Sequence, residues 1–387
     1  MGRSTHHPVG LIHNSEEAYK GYVLFSPLGS NYANLLDENG DVIHRWHCEE
    51  GIVYGKLLDN GNLLCRTKAP TDVPAVYRVG GSSSAIVELD PESNIVWRYD
   101  DPMLHHDFQR LKNGNTLLLL FENLPHEVST QVQGGHNQQD KTFDVGTSDY
   151  MLGDLIREIT PDGETVKEWP ISPALSYEED VICDLENRRE WTHGNSLNIT
   201  DKGDFIVSFR STSTIGILSK DSGKFLWKYG GGQLGHQHHP TFLDNGNILV
   251  FDNGAHTRGL DHSRVIEINP NNDEIVWTFE ETPPIDFYSF FISSADRLPN
   301  GNTFICEGAS GRFFEVTSKG DVVWEYMNPF TSVDLIFDHP NSIVFRAHKY
   351  GIDNPIFKKL DLNPDKYQDI NNLYNKDNAT RNTIFLP

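Results

Sequence analysis

Six of the seven tryptophans in this chain close the same short phrase: Val42-Ile-His-Arg-Trp46, Ile95-Val-Trp97, Val166-Lys-Glu-Trp169, Phe225-Leu-Trp227, Ile275-Val-Trp277 and Val322-Val-Trp324. Successive intervals are 51, 72, 58, 50 and 47 residues. Self-similarity at such a period marks an array whose units cannot bury their apolar faces alone and must stack on one another.

A second phrase recurs between the tryptophans, in Leu58-Asp-Asn-Gly61-Asn, Leu111-Lys-Asn-Gly114-Asn, Thr200-Asp-Lys-Gly203-Asp, Leu243-Asp-Asn-Gly246-Asn and Leu298-Pro-Asn-Gly301-Asn. Asn-Gly between alternating apolar residues predicts a hairpin, with the positive φ angles of a tight two-residue turn. A third phrase, as in Val87-Glu-Leu-Asp-Pro91 and Ile266-Glu-Ile-Asn-Pro270, starts the hairpin that ends at each Trp. One unit therefore reads as four antiparallel strands, the pattern of a propeller blade.

The fold class expected is all-β, a six-bladed β-propeller. Inner hairpins begin near Gly51, His105, Thr192, His238, Ser289 and Phe337, and no Trp phrase follows the last. The N-terminal strands around Tyr22–Pro27 and Ala33–Trp46 are expected to complete that blade and close the ring. The division is an N-terminal arm (1–20), one propeller domain (21–362) and a C-terminal tail (363–387), mobile or draped over the surface. Two stretches break the repeat: a Gln-, Asn-, Gly- and His-rich loop over 122–150, and a second loop over 172–190 running into Trp191-Thr-His193. Long loops in compact domains tend to carry function.

A formal net charge of -23 disfavours nucleic acid and acidic membrane surfaces as partners. It leaves room for an anionic small molecule held by a local cluster of Arg and His. No apolar run has the length of a membrane span and no signal-peptide core is visible, so the expectation is a soluble cytoplasmic chain, or an exported one if a leader has been removed. Cys48, Cys65, Cys183 and Cys306 lack the spacing of a metal motif or a disulfide framework and read as buried thiols.

The histidines carry the chemical signal. Several fall just before or at the start of an inner strand: His105-His106-Asp, Thr192-His193-Gly-Asn195, His236-Gln-His238-His239-Pro and Asp338-His339-Pro-Asn341. In a propeller the innermost strands line the central channel, so equivalent positions on successive blades converge. Any one of these residues, taken alone, reads as an exposed loop histidine or part of a channel polar network; their shared register argues for a site. His6, His7, His13, His44, His47, His126, His136, His256, His262 and His348 read as ordinary. Arg210 ends the strand that returns from the His193 hairpin, where it would either hold an oxyanion or pair with one of the many carboxylates.

Together, His105-His106-Asp, Thr192-His-Gly-Asn195-Ser ahead of Ser208-Phe-Arg210, and Gln237-His-His-Pro-Thr-Phe ahead of Phe251-Asp-Asn-Gly254 resemble the aryl-sulfate sulfotransferase family of six-bladed propellers. The resemblance runs from about Gly21 to Phe357. It implies an enzyme that moves a sulfuryl group from an aryl sulfate to a phenol through a sulfohistidine, with no nucleotide cofactor, or a close variant acting on a small aromatic substrate. By position His239 would be the nucleophile, with His238 as the fallback, while His106, His193, Asn195 and Arg210 would bind the sulfuryl oxygens and stabilise the leaving phenolate. Typical members are larger, exported, and carry an additional N-terminal β-sandwich, and His339 has no counterpart in that catalytic set.

The residue types suit this chemistry. A neutral imidazole is nucleophilic near neutral pH, and cationic donors meet the charge spread over a transferred group. Two other readings stay open on the residues: a catalytic divalent metal (iron, copper or zinc) held by His106, His193, His239 and His339, driving a lyase or oxygenase reaction, and a propeller scaffold without catalysis.

Overall fold

The computed structural model describes residues 8–69, 79–136, 151–333, 339–373 and the backbone of 384–385. The chain is all-β, and its six four-stranded antiparallel sheets are the blades of a six-bladed β-propeller. Blade 1 takes Gly21–Pro27, Tyr32–Leu36 and Val42–His47 from the N-terminal end and Val344–Gly351, its innermost strand, from the C-terminal end. Blade 2 is Tyr54–Leu57, Leu63–Arg66, Ala85–Leu89 and Ile95–Asp100; blade 3 is Leu104–Arg110, Thr116–Asn123, Leu152–Ile159 and Thr165–Pro170. Blade 4 is Gly194–Ile199, Phe205–Phe209, Thr214–Leu218 and Phe225–Tyr229; blade 5 is His238–Phe242, Ile248–Asp252, Arg264–Asn269 and Glu274–Phe279. Blade 6 is Ser294–Arg297, Thr303–Glu307, Arg312–Val316 and Val322–Met327, with Gly10–Asn14 paired on its outer edge. By internal contacts blades 1, 2 and 6 form one compact unit and blades 3, 4 and 5 another.

Ring closure by N-terminal strands is as the sequence predicts, in a different ratio. Three strands come from the N-terminal end and one, Val344–Gly351, from the C-terminal end; Phe337, where the last inner hairpin is expected to begin, lies outside the described residues. Phe330–Val333 and Pro340–Asn341 pair in a separate small sheet.

Every repeat tryptophan lies on the outermost strand of its blade. Its indole N–H explains the recurrence in three blades: Trp169 Nε1 donates to Lys220 O (2.7 Å), Trp227 Nε1 to Asp273 Oδ1 (2.8 Å) and Trp324 Nε1 to Glu38 O (3.2 Å). Each acceptor sits in the outer turn of the following blade. Tryptophan alone joins so large an apolar face to a donor at its rim, so it staples neighbouring blades while packing between them. Apolar seams complete the joint, with Leu119, Ile156, Leu197 and Val207 between blades 3 and 4 and Ile215, Ile248, Val250 and Ile266 between blades 4 and 5.

The Asn-Gly turns differ from the two-residue form expected. Gly61, Gly114, Gly203, Gly246 and Gly301 have φ between 84° and 89°, whereas the residues preceding them are not left-handed. In the first, Leu58 N donates to Asn62 O (2.9 Å) and Gly61 N to Leu58 O (2.8 Å). These are three-residue loops, a type I turn followed by a left-handed glycine. Asn is favoured for a side-chain bond: Asn60 Oδ1 accepts from Asn62 N at 3.0 Å, and the same contact recurs at Asn113, Asn245 and Asn300.

The two loop insertions meet. Gly134–His136 pairs in parallel with Ile182–Asn187, and the remaining tryptophan, Trp191, packs with Leu124, Val132, Met151 and Ile182 while Tyr177 stacks on it at 5.4 Å. Residues 137–150 of the first insertion lie outside the described residues. Residues at the start of the C-terminal tail dock on blade 1, where Asn371 Oδ1 accepts from Val42 N (2.9 Å) and its Nδ2 donates to Val42 O (3.1 Å).

One buried ion pair holds blade 6 to blade 1. Lys349 Nζ donates to Glu315 Oε2 at 2.6 Å, with side chains 1% and 0% exposed, while Glu315 Oε1 accepts from Tyr19 N and Asn302 Nδ2. Burial lowers the Lys349 pKa against the opposing pull of Glu315. Removing one partner strands a buried charge, so Glu315→Ala is expected to cost about 3–5 kcal/mol in urea unfolding. A loss under ~1 kcal/mol would show that water reaches this pair.

Candidate functional site

The inner ends of blades 3, 4 and 5 share an uncommon backbone feature. His106 (φ 44°), His193 (φ 51°), His236 (φ 59°) and His239 (φ 54°) all occupy the left-handed region, which costs a β-carbon residue free energy and is tolerated best by Asn, Asp and His. The strand register shifts around His193 and around His239, so the extra residue re-aims its neighbours in the manner of a β-bulge. The common register expected from sequence is therefore a shared local distortion on three successive inner strands.

His106 and His193 meet edge to face, with ring centroids 4.6 Å apart. Gly80–Gly81 passes over them: Gly81 (φ 82°) leaves no room for a β-carbon, which would overlap the His106 ring, and Gly81 O accepts from His106 N at 2.9 Å. Behind the pair stands Asp154, buried on the third strand of blade 3. Its carboxylate accepts from Thr192 Oγ1 and from Gly194 N (2.7 Å), and its Oδ1 lies 3.2 Å from His105 Nε2. Burial alone would raise the Asp154 pKa, but bonds from His105, Thr192 and Gly194 hold it below the usual carboxylate value.

This arrangement fixes tautomers. A carboxylate only accepts, so His105 Nε2 carries its proton toward Asp154; His105 Nδ1 then accepts from His106 Nδ1 at 2.9 Å, leaving the lone pair of His106 on Nε2. In the same way His193 Nδ1 donates to Glu190 Oε2 at 2.9 Å.

In blade 5 His238 is oriented by an amide. Asn253 Nδ2 donates to Ser289 O (2.7 Å), which turns its Oδ1 toward His238 Nδ1 (2.8 Å). His238 must therefore donate from Nδ1 and hold its lone pair on Nε2. His239, beside it, is equally buried. Asn195 is fully buried and donates from Nδ2 to Gln237 O (2.8 Å), fixing the backbone just before His238.

Arg210 comes back to the His193 hairpin as the sequence predicts, its N–H donating to His193 O at 3.2 Å. Its guanidinium is paired with Glu186 Oε1 at 2.9 Å, so the carboxylate reading of that arginine is the one present, and an anionic ligand must compete with Glu186. Glu186 belongs to the 172–190 insertion. His339 is exposed and belongs to the other compact unit.

Two more histidines stand beside this group, His236 from the His236-Gln-His238-His239 phrase and His256. His236 is buried, and its ring pKa is pushed down to about 2 by burial first, then by the charges of Arg210, His256, His238 and His193, so it stays neutral. His256, which reads as an ordinary loop histidine, meets His236 edge to face at 4.5 Å. Cys183 is the half-buried member of the four cysteines, against the expectation for all of them, and its sulfur lies 3.6 Å from His256 Nδ1. A cavity of about 660 Å³ opens on His256, with Arg258, His262 and Arg264 in its wall.

The profile of the arylsulfotransferase (ASST) family matches residues 75–329, which take in blades 3, 4 and 5 and every group described here except His339. The chain belongs to the arylsulfotransferase family. A structure of a protein of unknown function from Bacteroides caccae is similar to this arylsulfotransferase-family chain, with 16% identity over 85% of this chain and 98% of the other and a TM-score of 0.53, a likeness of fold. A streptogramin B lyase structure matches with 12% identity over 84% and 85% of the two chains at a TM-score of 0.47. None of the curated proteins matches the sequence. Membership of this family makes the chain a transferase, and the family acts on small aryl substrates. No helix among the described residues is long and apolar enough to cross a membrane.

Proposed function

We propose that this chain transfers a sulfuryl group from an aryl sulfate to a phenol through a sulfohistidine, and that the nucleophile is His238. The observation that carries the reading is the Asn253-oriented imidazole, whose Nε2 holds the lone pair. His239, the position the family resemblance favours, is adjacent and left-handed.

The step balances as a double displacement. Nε2 attacks sulfur, an N–S bond forms, the bond from sulfur to the aryl oxygen breaks, and the phenolate leaves with the electron pair. In the second half the phenolic acceptor attacks sulfur, the N–S bond breaks, and the acceptor proton passes to a base. His106 suits that base, since the Asp154 and His105 contacts place its lone pair on Nε2. Arg210, released from Glu186, supplies positive charge for the sulfuryl oxygens, and His193, held by Glu190, is a second group to bind them. As in phosphoryl transfer, positioning and electrostatics carry most of the catalysis. Asn195 acts as a positioning residue, through the Gln237 carbonyl. Imidazole itself carries the group, so the transfer calls for no nucleotide.

The test is the intact mass of the protein exposed to 4-nitrophenyl sulfate without acceptor. One equivalent of nitrophenol and one sulfo adduct on the peptide holding His238 are expected. Turnover with no adduct at any histidine would overturn the covalent mechanism; an adduct on another histidine would overturn the assignment to His238.

The metal reading rests on a different set. Among the described residues the donors close enough to share one ion are those of Cys183, His236 and His256, and none of them belongs to the set His106, His193, His239 and His339.

A further inference from the structure

We propose that Cys183, His236 and His256 bind one zinc ion, with Glu186 as the fourth ligand, and that this ion clasps the 172–190 insertion to blade 5. The three donor atoms lie within 4.8 Å of one another. Cys183 Sγ and His256 Nδ1 are 3.6 Å apart, and Glu186 Oε1 is 3.5 Å from His236 Nδ1 and 3.6 Å from His256 Nδ1. Tetrahedral zinc, with bonds of about 2.0–2.3 Å, separates its ligand atoms by about 3.5 Å, so three separations already have the required value. The other contacts among Cys183, His236 and His256 are no longer than 4.8 Å and close by roughly an ångström, within reach of side-chain rotation.

The chemistry of the donors is selective. One thiolate with two imidazoles suits zinc and disfavours magnesium or calcium. Neither ring nitrogen of His236 has a hydrogen-bond partner although the ring is buried, an arrangement that native interiors avoid unless something else satisfies the group. Charge balances too: a thiolate and a carboxylate offset the two charges of zinc, so Arg210 beside Glu186 does not face a net cation. The half-exposed His256 borders the 660 Å³ cavity, which provides a route for the ion.

Cys183 lies on the insertion strand Ile182–Asn187, His236 precedes the first strand of blade 5, and His256 follows its second strand. An ion at this point would cross-link them, with one thiol proton released on binding.

The test uses full-length protein freed of metal by a chelator and titrated with cobalt(II), then zinc(II). One equivalent of cobalt should bind with a tetrahedral visible spectrum and a thiolate charge-transfer band, and zinc should displace it. Cys183→Ser should abolish that band and weaken binding by more than about 100-fold, beyond what outer-shell changes cost, while His239→Ala should leave both unchanged. In wild-type protein, zinc should also shield Cys183 from iodoacetamide, read by peptide mass. A cobalt complex without the thiolate band, binding unchanged in Cys183→Ser, or equal alkylation of Cys183 with and without zinc would each overturn the site. None of these readouts depends on sulfuryl transfer, so the two proposals fail separately.

Discussion

His238→Ala is expected to lower nitrophenol release from 4-nitrophenyl sulfate by a factor on the order of 10³ or more, the loss that follows removal of a covalent nucleophile, and to eliminate the sulfo adduct. The argument is one of orientation. An imidazole attacks with a lone pair, and a ring free to present either nitrogen presents the correct one only part of the time. Asn253, itself fixed by its bond to Ser289 O, removes that ambiguity for His238. Asn253→Ala should therefore keep the adduct and lose rate by about 10–100-fold, the range in which an outer residue that orients a ligand acts. His239→Ala serves as the competitor, since its neighbour carries the same side chain one residue away on a kinked strand. If His239→Ala abolishes the adduct and His238→Ala retains it, the nucleophile moves by one position. If both variants still form an adduct, the His238–His239 pair is not the carrier.

The blades were legible because two chemically demanding residues recur in them. Tryptophan marks each outer strand, where in three blades its rim donor reaches the next blade, and Gly marks the inner turns of blades 2 to 6, since a left-handed residue is required there. Turn type was not legible, because a two-residue and a three-residue loop both select Asn-Gly. The histidines on the inner strands showed through their register, and the backbone distortion that produces it is visible in the structure alone. His256 and Cys183 escaped because they lie on an irregular loop and an inserted strand, where no repeat supplies an expected position. Their meeting with His236 depends on how the 172–190 insertion folds back, a long-range contact with no local sequence signal. Glu186 shows the same limit: an acidic chain offers many partners for Arg210, and only the path of the insertion selects one.

The second large effect falls on a residue outside the sequence-derived set. Asp154 ties blade 3 to the start of blade 4 through Thr192 and Gly194, and sets the proton positions of His105 and His106. Asp154→Ala should destabilise the protein by about 3–5 kcal/mol, because it leaves two buried donors and a buried imidazole without their acceptor. Asp154→Asn separates geometry from charge. The amide keeps the volume and one acceptor, but its NH₂ group cannot accept from His105, so the tautomer chain to His106 is no longer imposed and turnover should fall with a changed pH profile. The native carboxyl also has its pKa lowered by folding. Between its folded and unfolded values the unfolded chain binds more protons, so this stabilisation is present above the unfolded carboxylate value near 4 and is lost as pH falls through the folded one. Urea unfolding followed from neutral pH into that acid range should therefore show a decline in the wild type that Asp154→Asn lacks in part. Parallel declines in the two proteins, with turnover unchanged, would mean that Asp154 neither bears its charge in the folded state nor governs the histidines in front of it.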